Sequence, residues 1–177
     1  MSNILKSKRK ESSFQIRNEW LNLRLKLSEY LRADFNDNKI SYNGTDTLRY
    51  PNIYYYDFDH ERKRLLKLID RIQDLIYDAN SIFPTNLEEY KERRYLQSLA
   101  IGAVSCLVLE LEFVAKNYKV KPDKYINLTP SFKSFVTKLK GWRASTKRYL
   151  SILPEEQRKL VELEASLLNN GANGHNL

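Results

Sequence analysis

The sequence predicts an all-α fold: an antiparallel helical bundle, four-helix-bundle-like, with an N-terminal helical extension. Three observations point there. Only five of 177 residues are glycine and five are proline, which favours long helices over many short strands. Apolar residues recur at three- and four-residue steps over several long stretches. Helix start and stop signals fall between those stretches.

The first predicted helix covers about residues 15–32. Ile16, Trp20, Leu23, Leu27 and Tyr30 share a face, and Leu21, Leu25 and Leu31 widen it. Residues 34–57 break the pattern. Asn36-Asp37-Asn38 and Asn43-Gly44 are turn signals. Lys39–Tyr42 and Thr47–Tyr50 flank the Asn-Gly pair and could form a small hairpin. A tyrosine-rich stretch, Tyr54-Tyr55-Tyr56, follows. The second helix is expected from Phe58 to Ile82, capped by Asp57, with Leu65, Leu68, Ile72, Leu75, Ile76 and Ala79 inward. Pro84 ends it.

A third helix is expected to start at Thr85, where Thr85-x-x-Glu88 reads as a capping box, and to run to about Tyr118. From Leu99 to Leu109 it is apolar almost all round, which predicts a central helix covered on several sides. Thr129-Pro130 reads as the start of the fourth, an N-cap followed by proline at the first helical position. Its apolar face is Phe132, Phe135, Val136, Leu139, Trp142 and Tyr149. Pro154-Glu155-Glu156 opens a fifth helix, expected to end near Leu168. The organisation expected is therefore a basic arm, helix and tyrosine-rich loop over 1–57, a bundle over 58–168 and a disordered tail over 169–177.

Composition excludes most chemistry. The one cysteine, Cys106, rules out an internal disulfide and a cysteine-based zinc site, and it reads as a small core residue. His60 stands beside Asp57, Asp59 and Glu61 without metal-ligand spacing and reads as a solvated first-turn histidine. Phosphate-cradling glycine loops are absent, and neither His60 nor His175 has an arginine at the spacing helical ribonucleases of the HEPN type use. Glu110 and Glu112 diverge by about 200° around their helix, so they are no carboxylate pair. One is expected in water and the other paired with a neighbouring helix. No enzyme, cofactor or metal is expected. No uninterrupted apolar run reaches about 18 residues, and Met1–Lys6 lacks a signal-peptide stretch. The expectation is a cytoplasmic protein that does not engage a membrane.

Charge supplies the positive signal. The net +8 arises from 30 Lys+Arg against 22 Asp+Glu. Residues 1–33 hold eight bases and three acids, residues 121–153 eight bases and one acid, Asp123. From Ser131 to Leu150 there are six bases and no acid: Lys133, Lys138, Lys140, Arg143, Lys147 and Arg148. Lys133, Lys140 and Lys147 are seven apart and form one stripe opposite the Phe/Trp face. A face kept for solubility normally mixes both signs. This one suits phosphates, which lysines neutralise by counterion release without reading sequence. Lys6, Lys8, Arg9 and Lys10 form a second cluster on the arm. Tyr54-Tyr55-Tyr56 could stack on bases or clamp a loop.

Residues from about Phe58 to Tyr149 also resemble a family. Leu75–Pro84 looks like the end of its first helix, with a Phe-Pro-like close. Glu92-Arg93-Arg94-Tyr95-Leu96, leading into Glu110-Leu111-Glu112, resembles its middle helices. Phe135-Val136-Thr137-Lys138-Leu139-Lys140-Gly141-Trp142 resembles its last, and Gly141-Trp142 is the most specific of these features. The family is that of the accessory variability determinant (Avd) proteins of diversity-generating retroelements and the proteins encoded in ribosomal RNA intervening sequences. It has four helices, whereas residues 58–150 supply three long ones. Either the third stands for two, or the helix at 15–32 completes the set. The resemblance implies a non-catalytic nucleic-acid-binding protein, RNA before DNA, that partners a reverse transcriptase or other protein and forms a ring-like homo-oligomer. Lys138, Lys140 and Arg143, with Lys147 and Arg148 beyond, are the positions it carries over. The competing expectation is an interaction module that docks an acidic protein through the same face.

Overall fold

A computed structural model describes residues 15–32, 53–117 and 122–172. The Lys6–Lys10 arm, the hairpin candidate at 39–50 and residues 173–177 lie outside them. The elements are α1 (15–32), α2 (Ile53–Ser81), α3 (Leu87–Asn117), α4 (Pro122–Ser145), a 3₁₀ segment (Thr146–Ile152) and α5 (Glu155–Ala172). Among the described residues there is no strand.

Four of these helices share one core. Ile16, Trp20, Leu23, Leu27 and Leu31 of α1 are buried with Leu65, Ile69, Ile72 and Ile76 of α2, Val104, Leu107 and Leu111 of α3, and Phe132, Phe135 and Leu139 of α4. Side-chain pairs fix the directions. Arg24 of α1 binds Asp70 and Gln73 of α2, while Ile16 and Arg17 line one cavity with Tyr77 and Asn80. Arg64 of α2 pairs with Glu110 of α3, and Arg93 of α3 reaches the Ile82 carbonyl beyond α2. Lys133 of α4 faces Glu112 of α3, and Arg143 faces Ser98. Lys138 of α4 faces Glu19 of α1. In the first three pairings one number rises as the other falls, and α1 residues 15–26 line a seam with α4 residues 145–130 in the same sense, so neighbours run antiparallel around a closed ring of four helices. The predicted antiparallel bundle is the fold, and the helix at 15–32 is its fourth member, the second of the two alternatives the sequence left open.

Helix ends differ from their sequence signals for local reasons. α2 starts at Ile53, so Asp57 sits inside it rather than capping it. Once a long helix is nucleated, each further residue extends it at little cost, and the aromatic run joins. α3 begins one residue later than the box at Thr85 implies. Asn86 Oδ1 accepts the Glu89 N–H at 2.9 Å, and Glu89 reaches back to the Thr85 N–H at 2.7 Å and its hydroxyl at 2.9 Å. Asn86 is the N-cap and Glu89 its reciprocal partner. The Thr85 donors hold the Glu89 carboxyl below its ordinary pKa.

α4 begins at Pro122, not Pro130. Pro122 occupies the first helical position and Asp123 the first turn, both suited to a helix start. Pro130 lies inside the helix, and Thr129 is buried with its hydroxyl donating to the Tyr125 carbonyl at 3.4 Å instead of capping. After Ser145 the chain tightens into the 3₁₀ segment, whose Thr146 donates to Gln97 Oε1 at 3.0 Å. α5 continues to Ala172, past the expected end near Leu168 and into the stretch expected to be disordered. Its Gln157 accepts the Leu87 N–H at 2.8 Å, satisfying a donor at the start of α3. Leu153 and half-buried Val161 pack with Tyr90 and Tyr149 in a second small cluster.

Arg93 joins the parts at this end. It is 3% exposed, its guanidinium lying 5.6 Å from the Trp142 ring and 5.4 Å from the Tyr149 ring while donating to the Ile82 carbonyl. The carbonyl end of α2 is a favourable place for a cation, and two aromatic faces replace its lost hydration. Arg93→Ala is expected to cost about 3 kcal/mol, lowering Tm by roughly 6–12 °C for a chain of this size. A thermal melt followed by circular dichroism reads it. The Glu89 cap has a pH signature. Its folded pKa is lowered, so its contribution is complete above the ordinary carboxylate range and fades as pH falls through the folded value. The Tm gap between wild type and Glu89→Gln is expected at neutral pH and should close in strong acid.

Candidate nucleic-acid interface

Five inward side chains set the rotation of α4 and its continuation. Phe132, Phe135, Leu139, Trp142 and Tyr149 are buried, so Lys133, Thr137, Lys140, Ala144 and Lys147 stand on the water side. The change to 3₁₀ geometry turns Lys147 by only about 40° from its α-helical direction, leaving it on the same strip.

The six predicted bases do not behave alike. Lys133, Lys138, Lys140 and Lys147 are exposed. The Lys133 ammonium lies 3.4 Å from Glu112 Oε1, and that of Lys138 lies 2.7 and 2.8 Å from the two oxygens of Glu19. Lys140 and Lys147 have no ion pair among the described residues. Arg143 is half-buried and donates to Ser98 Oγ at 3.0 Å, and half-buried Arg148 lies over the Tyr149 ring at 5.4 Å. The structure therefore leaves four lysines exposed, Lys133, Lys140 and Lys147 along one strip and Lys138 on the flank beside α1, and turns both arginines toward the bundle. Lys8, Arg9 and Lys10 lie outside the described residues.

Between the lysines the surface is low. Ser134, Thr137, Gly141 and Ala144 are exposed small side chains, and a Cβ at Gly141 would meet nothing within 4 Å. A groove beside them, between α1 and α4, is lined by Gln15, Glu19, Asn22, Lys138, Gly141 and Ser145. Lys26 of α1 enters the same seam further along, beside Pro130 and Ser134. Sequence reasoning missed Glu19, Glu112 and Lys26 as parts of this face. They lie on other helices, up to 119 residues away along the chain, and carry no local signal.

The other candidates resolve differently from expectation in two places. Glu110 and Glu112 both pair, with Arg64 of α2 and Lys133 of α4. α3 has a neighbour on each flank, so residues about 200° apart meet two helices rather than one helix and water. Cys106 is exposed rather than in the core. The apolar stretch around it is covered on two sides only, and its outer side faces water. α3 is long and apolar enough to cross a membrane by length and composition, and 39% of its most apolar window is buried inside the bundle. His60 is exposed, its Nδ1 3.6 Å from Glu61 Oε1. No group of three or more His, Cys, Asp or Glu able to hold a metal ion occurs among the described residues.

Gly141 has no packing reason to be glycine. Gly141→Ala is expected to raise stability by about 0.5–1 kcal/mol, the helix-propensity difference, read as a higher denaturant midpoint at unchanged slope. Compared with protein-family models, curated proteins and solved structures, the chain matches none.

Proposed function

We propose that this protein is a non-catalytic, cytoplasmic nucleic-acid-binding bundle, taking RNA in preference to DNA, that serves a reverse transcriptase as an accessory subunit. The observation that supports binding is the outer face of α4: four exposed lysines over about 21 Å of helix, with no acid of its own from Ser131 to Leu150. Ammonium groups on a smooth helical face suit a phosphate backbone, which asks for charge and close approach rather than base edges. The ion pairs to Glu19 and Glu112 do not block this. Exposed pairs of this kind are worth about 0–1 kcal/mol, so a polyanion can replace them. The reverse-transcriptase part of the proposal rests on the resemblance of Leu75–Pro84 and Phe135–Trp142 to the Avd family.

A second reading is docking of an acidic protein. The observation favouring it is that Lys133 and Lys138 already hold carboxylates. Pull-downs after nuclease treatment separate the two: only the second reading has a retained protein partner released by Lys140→Glu with Lys147→Glu.

The binding test uses RNA and duplex DNA titrated by fluorescence anisotropy across a salt series. Affinity should fall with a log–log slope of about −0.7 to −0.9 per phosphate contact. Lys140→Glu with Lys147→Glu changes the two lysines that hold no ion pair among the described residues. It is expected to weaken binding more than tenfold and flatten the slope by about two contacts, at unchanged helicity. Binding equal to wild type would remove α4 as the interface.

A further inference from the structure

The outward side of α3 takes no part in the nucleic-acid reading. Tyr95, Leu99, Gly102, Cys106, Leu109 and Phe113 recur at alternating steps of four and three, the spacing of a coiled-coil seam. They fall within about 80° of arc on a helix and extend over about 27 Å. Tyr95 is 63% exposed, Leu109 65% and Phe113 45%. Gly102 and Cys106 are exposed and Leu99 is half-buried. A contiguous apolar stripe of this length facing water marks a docking surface.

The stripe is its own complement. A second α3 laid antiparallel about a two-fold axis level with residue 104 matches every layer. Gly102 meets Cys106 of the second copy, Leu99 meets Leu109, and Tyr95 meets Phe113. The next layer outward sets Glu92 opposite Lys116. Both are exposed and neither has an ion pair among the described residues. The smallest residues thus fall at the crossing point, apolar pairs flank them, and opposite charges close both ends. Parallel pairing would instead set Glu92 against Glu92 and Lys116 against Lys116, so charge selects the antiparallel form. Beside Tyr95 an open groove lined by Asn86, Glu88, Lys91, Glu92 and Gln157 brings two carboxylates and one ammonium to the end of the seam.

Gly102 is compatible with this pairing. A Cβ there would meet nothing within 4 Å of its own chain, yet glycine in mid-helix costs about 1 kcal/mol relative to alanine. The missing side chain would let a second helix approach closely at the crossing point.

We infer that α3 is a self-association face, through which two copies of this chain pair antiparallel along the Tyr95–Phe113 seam as an isologous dimer. The two-fold axis lies in the plane of the seam, so both α4 helices fall on the same side of the dimer. The pairing stands on α3 alone and does not depend on nucleic-acid binding.

Sedimentation equilibrium of the full chain over a micromolar to near-millimolar series tests it. The expected mass rises from 21.0 kDa to twice that value. Gly102→Gln has open space within one copy, so it should keep helicity and Tm while leaving the protein monomeric. Glu92→Lys and Lys116→Glu should each weaken association about tenfold, each pair occurring twice in the dimer, and the two together should restore it. A mass fixed at one chain throughout overturns the proposal. So does an assembly indifferent to Gly102→Gln and to both charge reversals. Vesicle binding by a chain that stays monomeric also overturns it, assigning the face to a lipid surface.

Discussion

The bundle closes where the indole of Trp20 lies on Phe135, with ring centres 5.8 Å apart and planes 28° apart, and leans on Phe132 at 6.4 Å. Trp20 is 1% exposed, and burying an aromatic side chain of that size is among the larger single contributions a core receives. This contact joins the first helix to the fourth and makes a ring of what would otherwise be three helices with an open side. It also sets the rotation of α4. With Phe132 and Phe135 committed to the indole, Lys133 and Lys140 have only the water side left to them. The electrostatic character of the surface is thus a consequence of an aromatic contact on the opposite side of the same helix.

Much of this could be read from the chain because helical periodicity is local. Ile16, Trp20, Leu23 and Leu27 announce their shared face within four turns, and the same holds for Phe132 to Trp142. Two kinds of feature resisted. A residue pair with two structural meanings misleads. Thr129-Pro130 has the composition of a helix start, yet Pro122 with Asp123 had already begun the helix. A segment without contrast carries no phase. Leu99 to Leu109 is apolar all round, so its residues could not say which side was inward, and Cys106 was placed in the core although it faces water.

The ion pairs were illegible for a different reason. Glu19 and Lys138 meet only because the bundle brings α1 and α4 together, and nothing near either residue names the other. The same is true of Arg93. Its sequence neighbours Glu92 and Arg94 suggest a solvated helix turn, but it is buried between Trp142 and Tyr149 and binds the carbonyl of Ile82. That arginine draws α2, α4 and the 3₁₀ segment onto one group, which makes the end of the bundle where α5 begins depend on a single charge.

Two of the four outer lysines spend the free protein bound to carboxylates of their own chain. A tethered carboxylate competes at a high effective concentration that no dilute free anion matches. A lone phosphate or chloride therefore gains little by approaching Lys133 or Lys138. The proposed polymer of phosphates would not face the same barrier, because Lys140 and Lys147 would hold it locally while the tethered pairs open one at a time. On the proposed reading, Glu19 and Glu112 would therefore tilt the α4 face toward long anions over small ones.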